Sequence, residues 1–540
     1  MGKIMAMEGL KNLLEGGRIA RFKMVCVGLF VGMTLNAQVE ERQRPAEWDD
    51  LVLGGRHMDR FETMPGKRLV RADWGAESVR TRLVDNGIEV SDLSIWGGNI
   101  LQAQYEGDLK GKEGDGLYHM FVCGWPEGSP KGHMFWSNST VFHAVSENVG
   151  GPFRIVESIG KGHNPEAYVL EDGRVVVYTI DGYYQSTKAF LKGDDSPNMW
   201  IFGKYQFDQR GHRIIEGLSN LTFCQRADGS RLMVCRGGGV WISESGLGPW
   251  RQITSERVYP PVKGEFEDPV VWRDSLQYHL IVNDWLGRIA WYERSLDGLH
   301  WIVEPGEAYT HAFSRHADGT VEPWFKYERP KVFQDEYGRV TQMNFAVIDT
   351  LKNEDKPHDT HSSKNICITM NKGLLLEVLN QKPIDDKTKQ IELRIKGEKD
   401  FDPASEVDVE SLVFGSYKEV NYGRGARAVK ARRDGDDLIV TFKAKGSGID
   451  SDEWAPKLIG RSKAGKLLWG YAKLPYVNYR PAVLSASAAY EKDGKQLVDV
   501  GNFGLSDSKP QQFTVKNKGG KDVVVDVPAL KPYEEVTIQI

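Results

Sequence analysis

Three short triplets set a titratable side chain just ahead of a proline: His163-Asn164-Pro165, Glu267-Asp268-Pro269 and Glu328-Arg329-Pro330. Two of them, with Glu267, Asp268 and Glu328, offer carboxylates from well-separated parts of the chain. Carboxyl pairs suit hydrolysis of a glycosidic bond. That chemistry needs one protonated and one ionised group, about 5–5.5 Å apart for retention or about 6.5–9.5 Å for inversion. Their environments must then push the two pKa values apart, and Arg329 beside Glu328, with His163 opposite, can do so.

The triplets recur because the elements carrying them recur. Asn164 to Tyr178 reads as strand, Asp-Gly turn, strand, and the form returns at Asn220–Val234, Asp268–Val282 and Arg329–Phe345, with a looser copy at Asn99–Val122. Aligned on their turns, the copies place Ile100, Pro165, Leu221, Pro269 and Pro330 at one position, with spacings of 65, 56, 48 and 61 residues. Third and fourth strands follow as Phe142–Ser146 before Phe153, Val240–Ser243 before Trp250, and Trp291–Ser295 before Trp301. Five four-stranded units of this size predict an all-β chain whose residues 38–375 form a five-bladed β-propeller. Two β-sandwich (Ig-like) domains are expected after it, over 376–478 and 479–540.

In a propeller the innermost strands line a central channel, whose mouth is a ligand site. The residue pairs before the aligned positions, Gly98-Asn99, His163-Asn164, Ser219-Asn220, Glu267-Asp268 and Glu328-Arg329, would ring that mouth. Because strand neighbours face opposite ways, one residue of each pair points into the channel unless a bulge intervenes. The second strands end in Gly124-Trp125, Asp181-Gly182-Tyr183 and Asn283-Asp284-Trp285, so Trp125, Tyr183 and Trp285 are candidate sugar platforms. The charged stretch Leu351 to Lys364 reads as a loop.

Composition narrows the partners. Lys plus Arg number 70 against 75 Asp plus Glu, so the net charge of -5 gives no reason to expect nucleic acid, and a neutral ligand such as an oligosaccharide fits better. Met24 to Leu35 is apolar, preceded by Arg18, Arg21 and Lys23 and followed by Asn36-Ala37-Gln38, which reads as a secretory signal over residues 1–37 and predicts an exported, periplasmic or secreted protein. Cys26 sits inside the apolar run, which disfavours a lipoprotein signal. No later run reaches about 20 apolar residues, so no transmembrane segment is expected. The remaining cysteines, Cys123, Cys224, Cys235 and Cys367, are too sparse for a disulfide framework or a zinc site.

With its repeats and triplets, the stretch from about 90 to 370 resembles the five-bladed glycosidases of glycoside hydrolase family 43 and its relatives. The resemblance implies Glu328 as general acid and Asp268 as base or pKa modulator. The chain departs from that pattern at Asn164, where a base Asp is expected, and at Trp96-Gly97-Gly98-Asn99, which offers no carboxylate. Asn takes no proton, so Glu267, Glu166 or Asp181 supplies the missing role, or the chemistry differs. Asn99, Asn164, Asn220, Arg329 and Trp96 complete the expected binding rim. No cofactor is required, though His163 is available to help hold a structural calcium in the channel. The expected activity is exo-acting removal of arabinofuranosyl, rhamnosyl or 3,6-anhydrogalactosyl units from algal or plant polysaccharide fragments. A non-hydrolytic carbohydrate-binding propeller and a polysaccharide lyase, with His163, Tyr183 and Arg329 as its machinery, are the alternatives.

Overall fold

The computed structural model describes residues 42, 44–64, 86–90, 92–103, 112–213, 218–319, 321, 324–357 and 363–540. The expected signal over 1–37 lies outside them, as does the second half of the 351–364 loop, from residue 358 to 362. The expectation of an all-β chain holds, for the described helices are short, none longer than the seven residues of Gly132–Asn138.

The repeats read from the sequence become successive sheets. The first holds Leu93–Gln102, Tyr118–Pro126, Thr140–Ser146 and Arg154–Lys161 in chain order. The second holds Glu166–Val169, Arg174–Tyr178, Tyr183–Ala189 and Trp200–Gly203. Thr222–Gln225, Arg231–Val234, Val240–Ser243 and Trp250–Gln252 make the third, with Phe207–Asp208 added in parallel at its edge. The fourth comprises Phe266–Arg273, Tyr278–Asp284, Ile289–Ser295 and Ile302–Val303, with Tyr309–Thr310 also on the third strand. In the fifth, Lys326–Gln334, Val340–Ile348 and Ser363–Thr369 are extended by the N-terminal segment, where Ile88 bridges Asn365 and Phe61 bridges Met370. First strands neighbour one another: the first sheet's meets those of the second and fifth, and the fourth's meets those of the third and fifth. Apolar residues fill the gaps between sheets, as Val176, Phe223, Trp241 and Trp250 do between the second and third.

The entrance to each first strand is bent in the same way. Asn164, Asn220, Asp268 and Arg329 all have left-handed backbones, with φ of 54°, 47°, 53° and 49°, and Gly97 and Gly98 take that place in the first sheet. Asn and Asp enter this region more readily than other side chains, whereas Arg does so only when its surroundings fix it. Register slips follow at Trp96/Asn99, Glu267/Val270 and Glu328/Lys331. Such a bulge breaks the strict alternation of faces and re-aims the side chains around it. At Gly98 no side chain is tolerated, because a Cβ would stand 2.4 Å from the Phe121 carbonyl oxygen.

Residues 376–478 differ from the expected sandwich. Leu376–Val378, Gln390–Ile395, Val407–Gly415, Ala426–Asp434, Asp437–Lys443, Lys457–Ser462 and Leu467–Lys473 close into a barrel. Closure arises because Val407–Gly415 pairs with strands on both sides and Leu376–Val378 lies parallel to Leu467–Lys473. Alternating strand patterns do not distinguish the two arrangements. The last 60 residues form a sheet of Leu484–Ala486, Tyr490–Lys492, Lys495–Asn502 and Glu535–Gln539, and a hairpin of Gln511–Lys516 with Asp522–Val527, around Val498, Val500, Val515 and Val525. Both units are fastened to the sheets by buried arginines. Arg294 pairs with Glu304 at 2.5 Å while Lys457 of the barrel stands 3.4 Å from the same carboxylate, and Arg226 donates to the Phe503 carbonyl at 2.5 Å. The four later cysteines are buried free thiols.

Candidate active site

The five bent entrances lie on neighbouring first strands, yet only the fourth and fifth bring acidic side chains. Asp268 is 1% exposed and fully engaged: Arg329 donates its backbone N–H to Oδ2 at 3.1 Å and its guanidinium to Oδ1 at 3.2 Å. This clamp also explains why Arg329 keeps a left-handed backbone. Both Asp268 oxygens are thus engaged by Arg329, which departs from its expected place as base, while its charge acts on Glu267 as a modulator's would. Glu166 is likewise taken. It is paired with Lys331 and accepts the Phe223 backbone N–H at 2.9 Å and the Tyr168 hydroxyl at 2.7 Å, tying the second, third and fifth sheets together.

Glu267 and Glu328 are different. Glu328 is 2% exposed, with Lys352 on Oε2 and Lys326 Nζ 3.1 Å from Oε1. Burial pushes its carboxyl up, but the two ammonium groups outweigh that and hold it at about 2. Glu267, whose side chain is 20% exposed, accepts from Asn220 Nδ2 at 2.8 Å and lies 3.7 Å from Arg236. Burial, and then the charge of Asp268, raise its pKa above the usual carboxylate value. Neighbouring sheets therefore present one carboxyl whose proton affinity is raised and one whose proton affinity is lowered.

The asparagines of the other entrances are braces and relays. Asn99 exchanges two hydrogen bonds with the Ala167 backbone, at 2.8 Å and 2.7 Å, stapling the first sheet to the second. Asn164 donates to Asn220 Oδ1 at 2.8 Å, and Asn220 in turn donates to Glu267, so a chain of amides fixes that carboxyl. Asn164 Oδ1 is buried with no partner among the described residues, an acceptor close to Gly97.

His163 is not placed for proton transfer. The Ser139 hydroxyl donates to the Trp136 carbonyl, so His163 Nδ1–H donates to Ser139 Oγ at 2.9 Å. Burial, then the charges of Arg329 and Lys352, push its pKa down to about 3 and keep the ring neutral. Its surroundings, a hydroxyl, the Cys123 thiol at 3.4 Å and the Trp136 ring, do not fit calcium, which takes six to eight oxygen ligands. No group of three or more metal-binding side chains occurs among the described residues.

The aromatic candidates are mostly covered. Trp96 is buried edge-on to His133, with Lys352 Nζ 4.9 Å from its ring, and Trp125 is buried against the same imidazole. Trp285 is half-buried under Lys326 Nζ, 4.3 Å from its ring. Tyr183 packs on Gly203 and Tyr205, and Asp181 is exposed at the end of the second sheet's hairpin. None of the three tryptophans offers an open face to a sugar on the side these groups occupy.

Sequence reasoning missed Lys326, Lys352, Arg236 and His133. Lys326 had a signal, for it precedes Glu328 by two residues on one strand and so shares its face. Lys352 sits in the loop after Val340–Ile348, and nothing in its sequence context reveals that it folds back onto Glu328.

No family model matches the chain, and no curated protein matches it. Solved structures it is similar to include an alpha-L-arabinofuranosidase from Lactobacillus brevis, 12% identical over 50% of this chain and 94% of that one, with a TM-score of 0.32. A fructofuranosidase from Schwanniomyces occidentalis is 11% identical over 88% and 96%, with a TM-score of 0.32. The GH43 protein BlXynB from Bacillus licheniformis is 9% identical over 84% and 91%, with a TM-score of 0.31. Likeness at that level fixes neither fold nor activity, and the sheets and side chains of this chain have to carry both.

Proposed function

We propose that the chain is a glycoside hydrolase on a five-bladed β-propeller spanning 38–375, with Glu267 as general acid and Glu328 as its ionised partner. The observation that carries this is the opposite displacement of two carboxyls on neighbouring first strands, Glu267 upward and Glu328 down to about 2. Two carboxyls with separated pKa values are what glycosidic hydrolysis requires. This reverses the part the family resemblance gives Glu328. A carboxylate braced by two lysines is poorly suited to hold a proton for a leaving oxygen, whereas burial and the charge of Asp268 favour the protonated form of Glu267. Glu328 then acts on the opposite face of the sugar, as base toward water or as nucleophile.

The reaction so written uses no cofactor. Export through the segment 1–37 and exo-action on terminal arabinofuranosyl, rhamnosyl or 3,6-anhydrogalactosyl units belong to the same proposal. The barrel and the last 60 residues act as braces for the sheets, supported by the Arg294–Glu304–Lys457 and Arg226–Phe503 contacts. A binding-only propeller is the second reading, favoured by the three asparagine entrances, which have no group able to move a proton. The lyase alternative is weakened at both of its candidate bases, since His163 is buried on Ser139 and Tyr183 packs on Gly203 and Tyr205.

The test is release of monosaccharide from end-labelled oligosaccharides of agar, carrageenan, arabinan and pectin. Glu267→Gln and Glu328→Gln should each abolish release while binding persists. Binding without release by the unaltered protein on every substrate would favour the second reading.

A further inference from the structure

The charge at the mouth is unbalanced in a way that the deeper channel is not. Asp268 has Arg329 and Glu166 has Lys331, each a buried pair of one anion with one cation. Glu328, by contrast, has two, Lys326 and Lys352, and Arg236 stands 3.7 Å from Glu267. Three cations thus face two carboxylates among these described residues.

The surplus is reachable. Lys352 is 27% and Arg236 42% exposed at the side chain, while Lys326 and Glu328 are buried. Holding excess positive charge in a partly dehydrated site is costly unless an anion arrives to meet it. The aromatic rings point the same way. Lys352 lies 4.9 Å from the Trp96 ring and Lys326 4.3 Å from the Trp285 ring, so these indoles hold ammonium groups by cation–π attraction instead of offering a platform to a neutral sugar.

We infer that the site takes a sugar bearing a fixed negative charge, a uronate carboxylate or a sulfate ester, bound by Lys352 and Arg236 beside the Glu267–Glu328 pair. The inference rests on the proposed carbohydrate site but not on the reaction. Overall net charge is silent here, because a local cluster inside a low-dielectric mouth acts at short range and bulk charge is screened.

Binding of oligogalacturonides and of sulfated carrageenan oligosaccharides to the full chain, each against its carboxyl-reduced or desulfated counterpart, tests it by calorimetry. One charged form should bind at least 10-fold more tightly than its neutral counterpart, with affinity falling as salt rises, and the arm that does so tells carboxylate from sulfate. Arg236→Gln should cost the charged ligand about 10-fold and leave the neutral one unchanged. Equal affinity for charged and neutral forms, or binding of neither, overturns the inference. Tight binding of a charged form without cleavage upholds it and counts against hydrolysis, and cleavage of neutral forms with no preference for charge does the reverse.

Discussion

Two groups of buried carboxylates use the same residue types to opposite ends. In one the charges pair one to one, Asp268 with Arg329 and Glu166 with Lys331, and the carboxylate oxygens hold strands together. At the mouth, Glu267 and Glu328 differ in proton affinity, and the cations around them exceed the charge they must balance. A buried charge pair is thus no sign of chemistry by itself. What marks the mouth is imbalance between two neighbouring acids, each in a different field.

That contrast predicts which changes abolish activity and which loosen the fold. The largest effect belongs to Glu328→Gln and Glu267→Gln, each expected to lower kcat/KM by roughly 10²–10⁴-fold, the usual worth of a positioned acid or base. The pH profile sharpens this. Glu267 must be protonated, so activity falls as pH rises through its raised pKa, whereas Glu328 stays ionised down to about 2 and sets no limit in the neutral range. Glu267→Gln should therefore remove the alkaline limb.

Asp268→Asn should behave the other way. It strands the Arg329 guanidinium in the interior, which costs about 3–5 kcal/mol of stability, read as a shift in the denaturant midpoint. Asn99→Ala removes two buried hydrogen bonds between the first and second sheets and should cost less, about 1–3 kcal/mol by the same measurement. At the bottom of the scale, Lys192→Gln breaks an exposed pair with Glu113 and should move neither stability nor activity measurably. Because the Asp268 charge also raises the Glu267 pKa, Asp268→Asn should move the alkaline limb to lower pH in the folded protein, and an unmoved limb would contradict the coupling of the two carboxyls.

Strand order was legible because each strand–turn–strand unit carries its own β-branched runs and Asp/Gly turns, and the structure forms sheets at those places. The closing of the fifth sheet was not, since it depends on Ile88 and Phe61 meeting Asn365 and Met370 far along the chain. Nor was the barrel, whose closure depends on which edges meet. At the site, the triplets directed attention to the bent entrances but not to how the side chains there are turned. A left-handed Asp268 and the slip that follows it turn Asp268 onto Arg329 and leave Glu267 in the more open position. Adjacent residues in a sequence do not reveal which of them the backbone bends inward. Lys326 was within reach of a period-two reading, whereas Lys352 arrives from a loop.

The opposite proton states of the two carboxyls can be read directly, without a substrate, by titrating the protein with ¹³C-labelled Glu side chains and assigning signals with Glu267→Gln and Glu328→Gln. The signal lost in Glu328→Gln should stay that of a carboxylate down to about pH 2, and the signal lost in Glu267→Gln should titrate above the ordinary value of 4.5. A Glu328 signal that protonates at or above 4.5, or a Glu267 signal that remains ionised below it, would contradict the division of labour between them.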